Sequence, residues 1–163
     1  MHDNAFLDRR VIAYAHQGGA REAPSSTIAA ISQALNAGAT AIELDVHATA
    51  DGHLVACHDP TLERTTNGSG AIKDHSLEEL EELDNAYWFV PGEDAVTGRD
   101  PACYTLRGRA PEDASYCIAT LEEVLSSFPG VLLNLDVKKT APEVKPYEAE
   151  LARLLRSYER KDD

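Results

Sequence analysis

The chain has 163 residues, with 15 Lys plus Arg against 28 Asp plus Glu, for a formal net charge of −13. Hydrophobic residues make up 43 % and charged residues 26 %, which is the balance of a single globular domain and too apolar for a disordered chain. No apolar run approaches the ~18 residues of a membrane span, and the acidic balance with dispersed basic residues argues against a nucleic-acid partner.

Met1 to Arg10 shows no basic stretch leading into an apolar one, so no signal peptide is expected. Cys57, Cys103 and Cys117 form an odd set without a Cys-x-x-Cys pair. They read as reduced thiols of a cytoplasmic protein, with a Cys103–Cys117 disulfide as the minor alternative. Val11 to Ala15 is a short apolar run and predicts a buried strand that stops at His16-Gln17-Gly18-Gly19. A helix is expected from about Ser26 to Ala37, opened by Pro24 and Ser25-Ser26 and stopped by Gly38.

Residues 41 to 47 alternate apolar and polar and predict a second strand, followed by an Asp51-Gly52 turn. Residues 53 to 57 predict a third strand ending at His58-Asp59-Pro60. Ser76 and Glu79, and later Thr120 and Glu123, have the spacing of capping boxes that start helices. Residues 85 to 117 are rich in Pro, Gly, Asp and Arg around Tyr87, Trp88 and Phe89, and read as an irregular excursion. Residues 131 to 138 predict a fourth strand. The last helix begins near Pro146, with Tyr147, Leu151, Leu154, Leu155 and Tyr158 on its apolar face.

Strands alternating with helices imply parallel βαβ units, whose sites form at the C-terminal strand ends. His16, Glu43, Asp45, His58, Asp136 and Lys138 all fall at or just beyond such ends. Side chains two apart on a strand share a face, so Glu43 and Asp45 point together, as do Asp136 and Lys138. Three carboxylates at one rim repel one another, and a hard divalent cation such as Mg²⁺ or Ca²⁺ relieves the conflict. The plain alternative is three solvated carboxylates, with Asp136 paired to Lys138. His16 and His58 have the side chain suited to proton transfer near neutral pH, although a histidine at a strand end is often structural. A zinc site of His47, His58 and Cys57 is disfavoured, because adjacent strand residues point to opposite faces. The Gly18-Gly19 backbone either cradles an anion or forms a plain turn.

Several blocks follow one another in order: His16-Gln17-Gly18-Gly19 with Ala23-Pro24-Ser25-Ser26-Thr27, Ala41-Ile42-Glu43-Leu44-Asp45-Val46, and His58-Asp59-Pro60-Thr61-Leu62. Arg64-Thr65-Thr66-Asn67-Gly68-Ser69-Gly70, Thr120-Leu121-Glu122-Glu123-Val124-Leu125 and Leu133-Asn134-Leu135-Asp136-Val137-Lys138 continue the pattern. Together they resemble the glycerophosphodiester phosphodiesterase family. The resemblance implies an α/β fold of the TIM-barrel (β/α)₈ family. About the first four βα units are expected here, in one C-terminally incomplete domain over 1–163, with residues 60–117 as an insertion after the third strand. It implies hydrolysis of glycerophosphodiesters to glycerol 3-phosphate and an alcohol. By position, Glu43, Asp45 and Asp136 would be metal ligands and His16 and His58 the acid–base pair. Gln17 and Lys138 would contact the substrate, Lys138 neutralising phosphate charge.

The sequence departs from the family at four points. Gln17 stands where the family has Arg, so a charged fork is replaced by a neutral amide. Ser25-Ser26 stand where it has Glu-Asn, and Asp136 where Glu is more frequent. A shorter ligand suits a flexible Ca²⁺ site better than strict Mg²⁺ geometry. A full barrel needs about 250 residues, so the sheet is expected to have open edges at its first and fourth strands, through which two copies could pair.

Overall fold

The computed structural model describes residues 11–138 and 145–160. Its main sheet is organised by β2 (Ala41–Ala48), whose sequence alternates with the two-residue period of a strand. Ile42, Leu44 and Val46 point into the core and are almost completely buried. Burial of each such side chain contributes about 1.5–3 kcal/mol. Glu43, Asp45 and His47 take the opposite face.

β1 (Tyr14–His16) and β6 (Leu132–Val137) both run parallel to β2. Ile42 pairs with Ala15 and also with Leu133, so β1 and β6 lie on opposite edges of β2. The third strand departs from expectation. β3 (Leu54–Ala56) is antiparallel to β2, because the Asp51-Gly52 turn folds it straight back as a hairpin. Val46 pairs with both Ala56 and Val137, which puts β3 on the edge of β2 that β1 occupies further back. The described residues therefore hold three parallel strands rather than four βα units, and the excursion follows the antiparallel β3. Among them no strand pairs with the outer side of β1 or β6, so the sheet is open and no barrel closes.

α1 (Ile28–Asn36) begins two residues later than expected. Thr27 is its cap, the side-chain oxygen accepting the Ala30 N–H at 3.1 Å. Ser26 instead adopts a left-handed backbone with φ 59°. α2 (Leu77–Glu81) and α3 (Leu121–Ser127) both start with the expected capping boxes, Ser76 with Glu79 and Thr120 with Glu123. α4 (Glu148–Ser157) lays Leu151 and Leu154 into the core beside Tyr147, with Leu155 and Tyr158 packed at its margin.

The excursion between β3 and α3 carries α2 and a two-residue hairpin of β4 (Phe89–Val90) and β5 (Asp94–Ala95). Val55, Cys57, Leu62, Ile72, Leu80 and Ile118 form a second apolar cluster beneath its first part. Further on, the Arg107 guanidinium sits 4.1 Å from the Tyr87 ring centre and 4.0 Å from that of Tyr104, with Trp88 at 4.8 Å. Its Nε donates to the Tyr87 carbonyl. Cation–π contacts thus hold a segment with little regular structure. The chain returns to the sheet at Ala119, whose carbonyl accepts the Ala56 N–H at 2.8 Å. All three cysteines are free.

Tyr147 anchors α4 to the sheet. Its hydroxyl lies 2.6 Å from the Val46 carbonyl and 2.5 Å from the Lys138 carbonyl, and can donate to either. Tyr147→Phe is expected to cost about 1 kcal/mol and to lower Tm by roughly 2–4 °C in a thermal melt.

Candidate active site

β1 ends at His16, which stands in register with Glu43. The His16 Nε2 is 3.8 Å from a Glu43 carboxylate oxygen, and the same oxygen accepts the Gln17 N–H at 3.1 Å. Gln17 then turns the chain with φ 52°. A Cβ on Gly18 would stand 3.1 Å from Ile31 Cγ1, and its φ of 75° also favours glycine, so the turn packs tightly on α1. The Gly18 and Gly19 N–H groups donate to the carbonyls of Ala15 and His16. They are spent on a plain turn, and no anion cradle forms.

β3 delivers His58 from the opposite direction. The Cys57 N–H donates to the Asp45 carbonyl at 3.0 Å, so the strand's end lies along β2 toward the end of β1. His58 Nδ1 is 2.6 Å from Asp59 Oδ1, and Asp59 Oδ2 accepts the Arg64 Nε–H at 2.8 Å. Partial burial acts to raise the Asp59 pKa, but the His58 hydrogen bond and the Arg64 charge outweigh it and hold the carboxyl below its ordinary range. His16, Gln17, His58, Asp59 and Arg64 line one cavity of about 860 Å³. A larger cavity of about 1490 Å³ lies by the β2–β3 turn and the start of α4, and holds none of the sequence-predicted site residues. The smaller cavity gathers His16, Gln17 and His58, whereas Glu43, Asp45, Asp136 and Lys138 line neither of the two.

The remaining predicted residues sit on the polar face of β2 and β6. Asp45 is in register with Asp136. Lys138 Nζ lies 2.8 Å from Asp45 Oδ1 and 2.5 Å from Asp136 Oδ2. These hydrogen bonds to Asp136 and Asp45 raise the Lys138 pKa above its ordinary value. Asp45 is only 2 % exposed, and its Oδ2 has no hydrogen-bond partner. The carboxylates on this face, with that orphaned acceptor, have the chemistry a hard cation takes. Their side chains are not drawn around one point: among the described residues no three His, Cys, Asp or Glu groups are placed to hold a metal. Lys138 occupies the space between Asp45 and Asp136, and Glu43 turns to the Gln17 N–H.

The zinc alternative finds no support. Among the described residues no such three-group site forms, and burial pushes the Cys57 thiol up to about 12. His47 shares the polar face of β2, and its Nε2 is 3.4 Å from the His58 carbonyl. Burial holds its pKa below the ordinary value, partly offset by that contact with His58.

The sequence pattern of the glycerophosphoryl diester phosphodiesterase family matches residues 16–160. The chain belongs to this family. It is 34 % identical over 143 residues to the glycerophosphodiester phosphodiesterase of Bacillus subtilis, covering 88 % of this chain and 44 % of that protein. The crystal structure of a glycerophosphoryl diester phosphodiesterase domain from Mycobacterium tuberculosis superposes with a TM-score of 0.72 at 26 % identity, over 90 % of this chain and 48 % of that one. A phosphodiesterase from Oleispira antarctica, solved with sn-glycerol-3-phosphate, superposes at 0.64 with 28 % identity, over 91 % and 53 % of the two chains. The chain thus spans about half the length of the relatives it matches, and its open sheet is part of the family's TIM barrel.

Asp59, Arg64 and Asp94 reach the site without a sequence pattern that marks them for it. Asp59 and Arg64 lie inside family blocks, but nothing there says that they would meet. Asp94 lies in the irregular excursion, where no periodicity places it. Because the Asp59 pKa is lowered by folding, its stabilisation is full above its unfolded value of about 4 and is lost as pH falls through the folded value. Asp59→Asn is therefore expected to lower stability to urea at pH 7, with a smaller difference from the parent chain near about pH 3.

Proposed function

We propose that this chain carries the catalytic face of a metal-dependent glycerophosphodiester phosphodiesterase, releasing glycerol 3-phosphate and an alcohol. One observation carries the reading: His16 and His58, from two strands, line a single cavity beside the face that bears Glu43, Asp45 and Asp136. Membership of the family and the product-bound Oleispira relative support the same substrate class.

One histidine takes a proton from the attacking hydroxyl, either water or a neighbouring glycerol hydroxyl. The other returns a proton to the departing alkoxide. The hydrogen bond from His58 Nδ1 to Asp59 leaves its Nε2 for this exchange. Glu43, Asp45 and Asp136 would hold a divalent cation, Mg²⁺ or Ca²⁺, whose charge offsets the negative charge that develops on the phosphate. Lys138 supplies a further positive charge on that face. A cytoplasmic setting is supported by the three free cysteines.

A second reading is a relative that binds metal or phosphodiester without turnover. The burial of Gln17, Ser25 and Ser26 favours it, because these replace the family's Arg and Glu-Asn and stand largely out of solvent. The two readings separate in one assay of glycerol 3-phosphate release from glycerophosphocholine. The enzyme reading expects release that requires millimolar Mg²⁺ or Ca²⁺ and falls about 10²–10⁴-fold in His58→Ala. Cation-stabilised Tm without release, restored to turnover by Gln17→Arg, would establish the second. No effect of cation on release or on Tm would overturn both.

A further inference from the structure

We propose that Arg64, braced by Asp94 of the β4–β5 hairpin, is a positioning residue that fixes the ring tautomer of His58 through Asp59. The proposal rests on the hydrolase reading for its consequence, but its central observable does not need turnover.

A neutral imidazole can carry its proton on either nitrogen, and only the unprotonated one can accept a proton. An ionised carboxylate only accepts, so the 2.6 Å contact between His58 Nδ1 and Asp59 Oδ1 makes Nδ1 the donor. That holds only while the Asp59 carboxylate keeps its orientation. Arg64 supplies the constraint by donating from Nε to the second oxygen, Oδ2, at 2.8 Å. Both oxygens of Asp59 are then committed.

Arg64 is in turn held from its other end. Its Nη1 lies 3.3 Å from Asp94 Oδ2. Asp94 adopts φ 71°, a left-handed backbone that favours glycine, and its Oδ1 is buried without a hydrogen-bond partner. A half-buried aspartate with a left-handed backbone and one orphaned carboxylate oxygen is poorly explained by hairpin stability alone. The hairpin is itself seated against the loop that follows β1, where the Gly92 N–H donates to the Arg21 carbonyl at 2.7 Å. Glu93 and Asp94 line the same cavity as the two histidines. The excursion therefore reaches the site through one chain of contacts, from Asp94 to Arg64 to Asp59 to His58. If Arg64 merely stapled the excursion to the sheet, its loss would change stability but leave the His58 tautomer as it was.

The test is a ring-nitrogen ¹⁵N–¹H correlation spectrum of the full chain at about pH 8.5, where free imidazole is neutral. The His58 signal is assigned by its loss in His58→Gln. The parent chain is expected to show a protonated Nδ1 and an unprotonated Nε2. Arg64→Ala and Asp94→Gly are expected to show a mixture of tautomers, and Arg64→Lys to keep most of the parent pattern. Asp94→Gly removes the carboxylate yet suits the left-handed backbone, so it remains informative if Arg64→Ala does not fold. Turnover of glycerophosphocholine should fall roughly ten-fold or more in kcat in the same two variants, with KM little changed. A parent-like tautomer in Asp94→Gly and in folded Arg64→Ala, or a protonated Nε2 in the parent chain, overturns the proposal. A tautomer shift in a chain that shows no turnover supports the positioning role and counts against the hydrolase reading instead.

Discussion

A strand has two edges, and β2 has three neighbours. β6 takes one edge along most of its length. β1 and β3 must then share the other, one pairing with Ala41–Glu43 and the other with Val46–Ala48. They approach from opposite directions, so their C-terminal ends point at each other across Leu44 and Asp45. His16 closes one strand and His58 follows the other, which is why two histidines 42 positions apart in sequence line one cavity. Each strand must also stop on time. Gln17 with its left-handed backbone, and Gly18 pressed against Ile31, end β1, while the Asp51-Gly52 turn sets where β3 begins.

The two faces of β2 impose opposite demands. Ile42, Leu44 and Val46 supply the apolar surface that holds the sheet to α1, α3 and α4. The alternation that buries them also places Glu43 and Asp45 side by side, with Asp136 facing Asp45 from β6. Asp45 is buried while Asp136 stays exposed, so a second negative charge this close is costly chiefly for Asp45. Lys138 offsets that cost by bridging Asp45 and Asp136. The same carboxylates are the ones a divalent cation would take under the proposed function, so ammonium and cation would compete for one place.

The excursion is more than a decoration between strands. Its second apolar cluster and the aromatic contacts around Arg107 give it a fixed shape with little regular structure. That shape carries Asp94 to Arg64, and the Asn85 side chain to the Ser25 carbonyl at the start of α1. A region that reads as irregular in one dimension thereby supplies part of the cavity wall.

The sequence by itself determined most local elements, because their causes are local, but the expected buried strand over residues 11–15 is instead β1 at Tyr14–His16, with Val11 and Tyr14 exposed. Alternation specified β2 and its two faces, the capping boxes specified where α2 and α3 begin, and the apolar spacing from Tyr147 to Tyr158 specified the buried side of α4. The ordered blocks were sufficient to indicate the family. α1 starts two residues beyond the expected Ser26 because Ser25, Ser26 and Thr27 are adjacent residues able to cap, and only the packing of the turn after β1 selects among them. Tertiary structure alone decided that β3 runs antiparallel, since an Asp-Gly turn is compatible with a hairpin or with a longer connection and the pairing partner is not written in either strand. It also decided the contacts of Asp59, Arg64 and Asp94. Those depend on where an aperiodic segment folds back, and that follows from packing over long sequence separations, which no local pattern records.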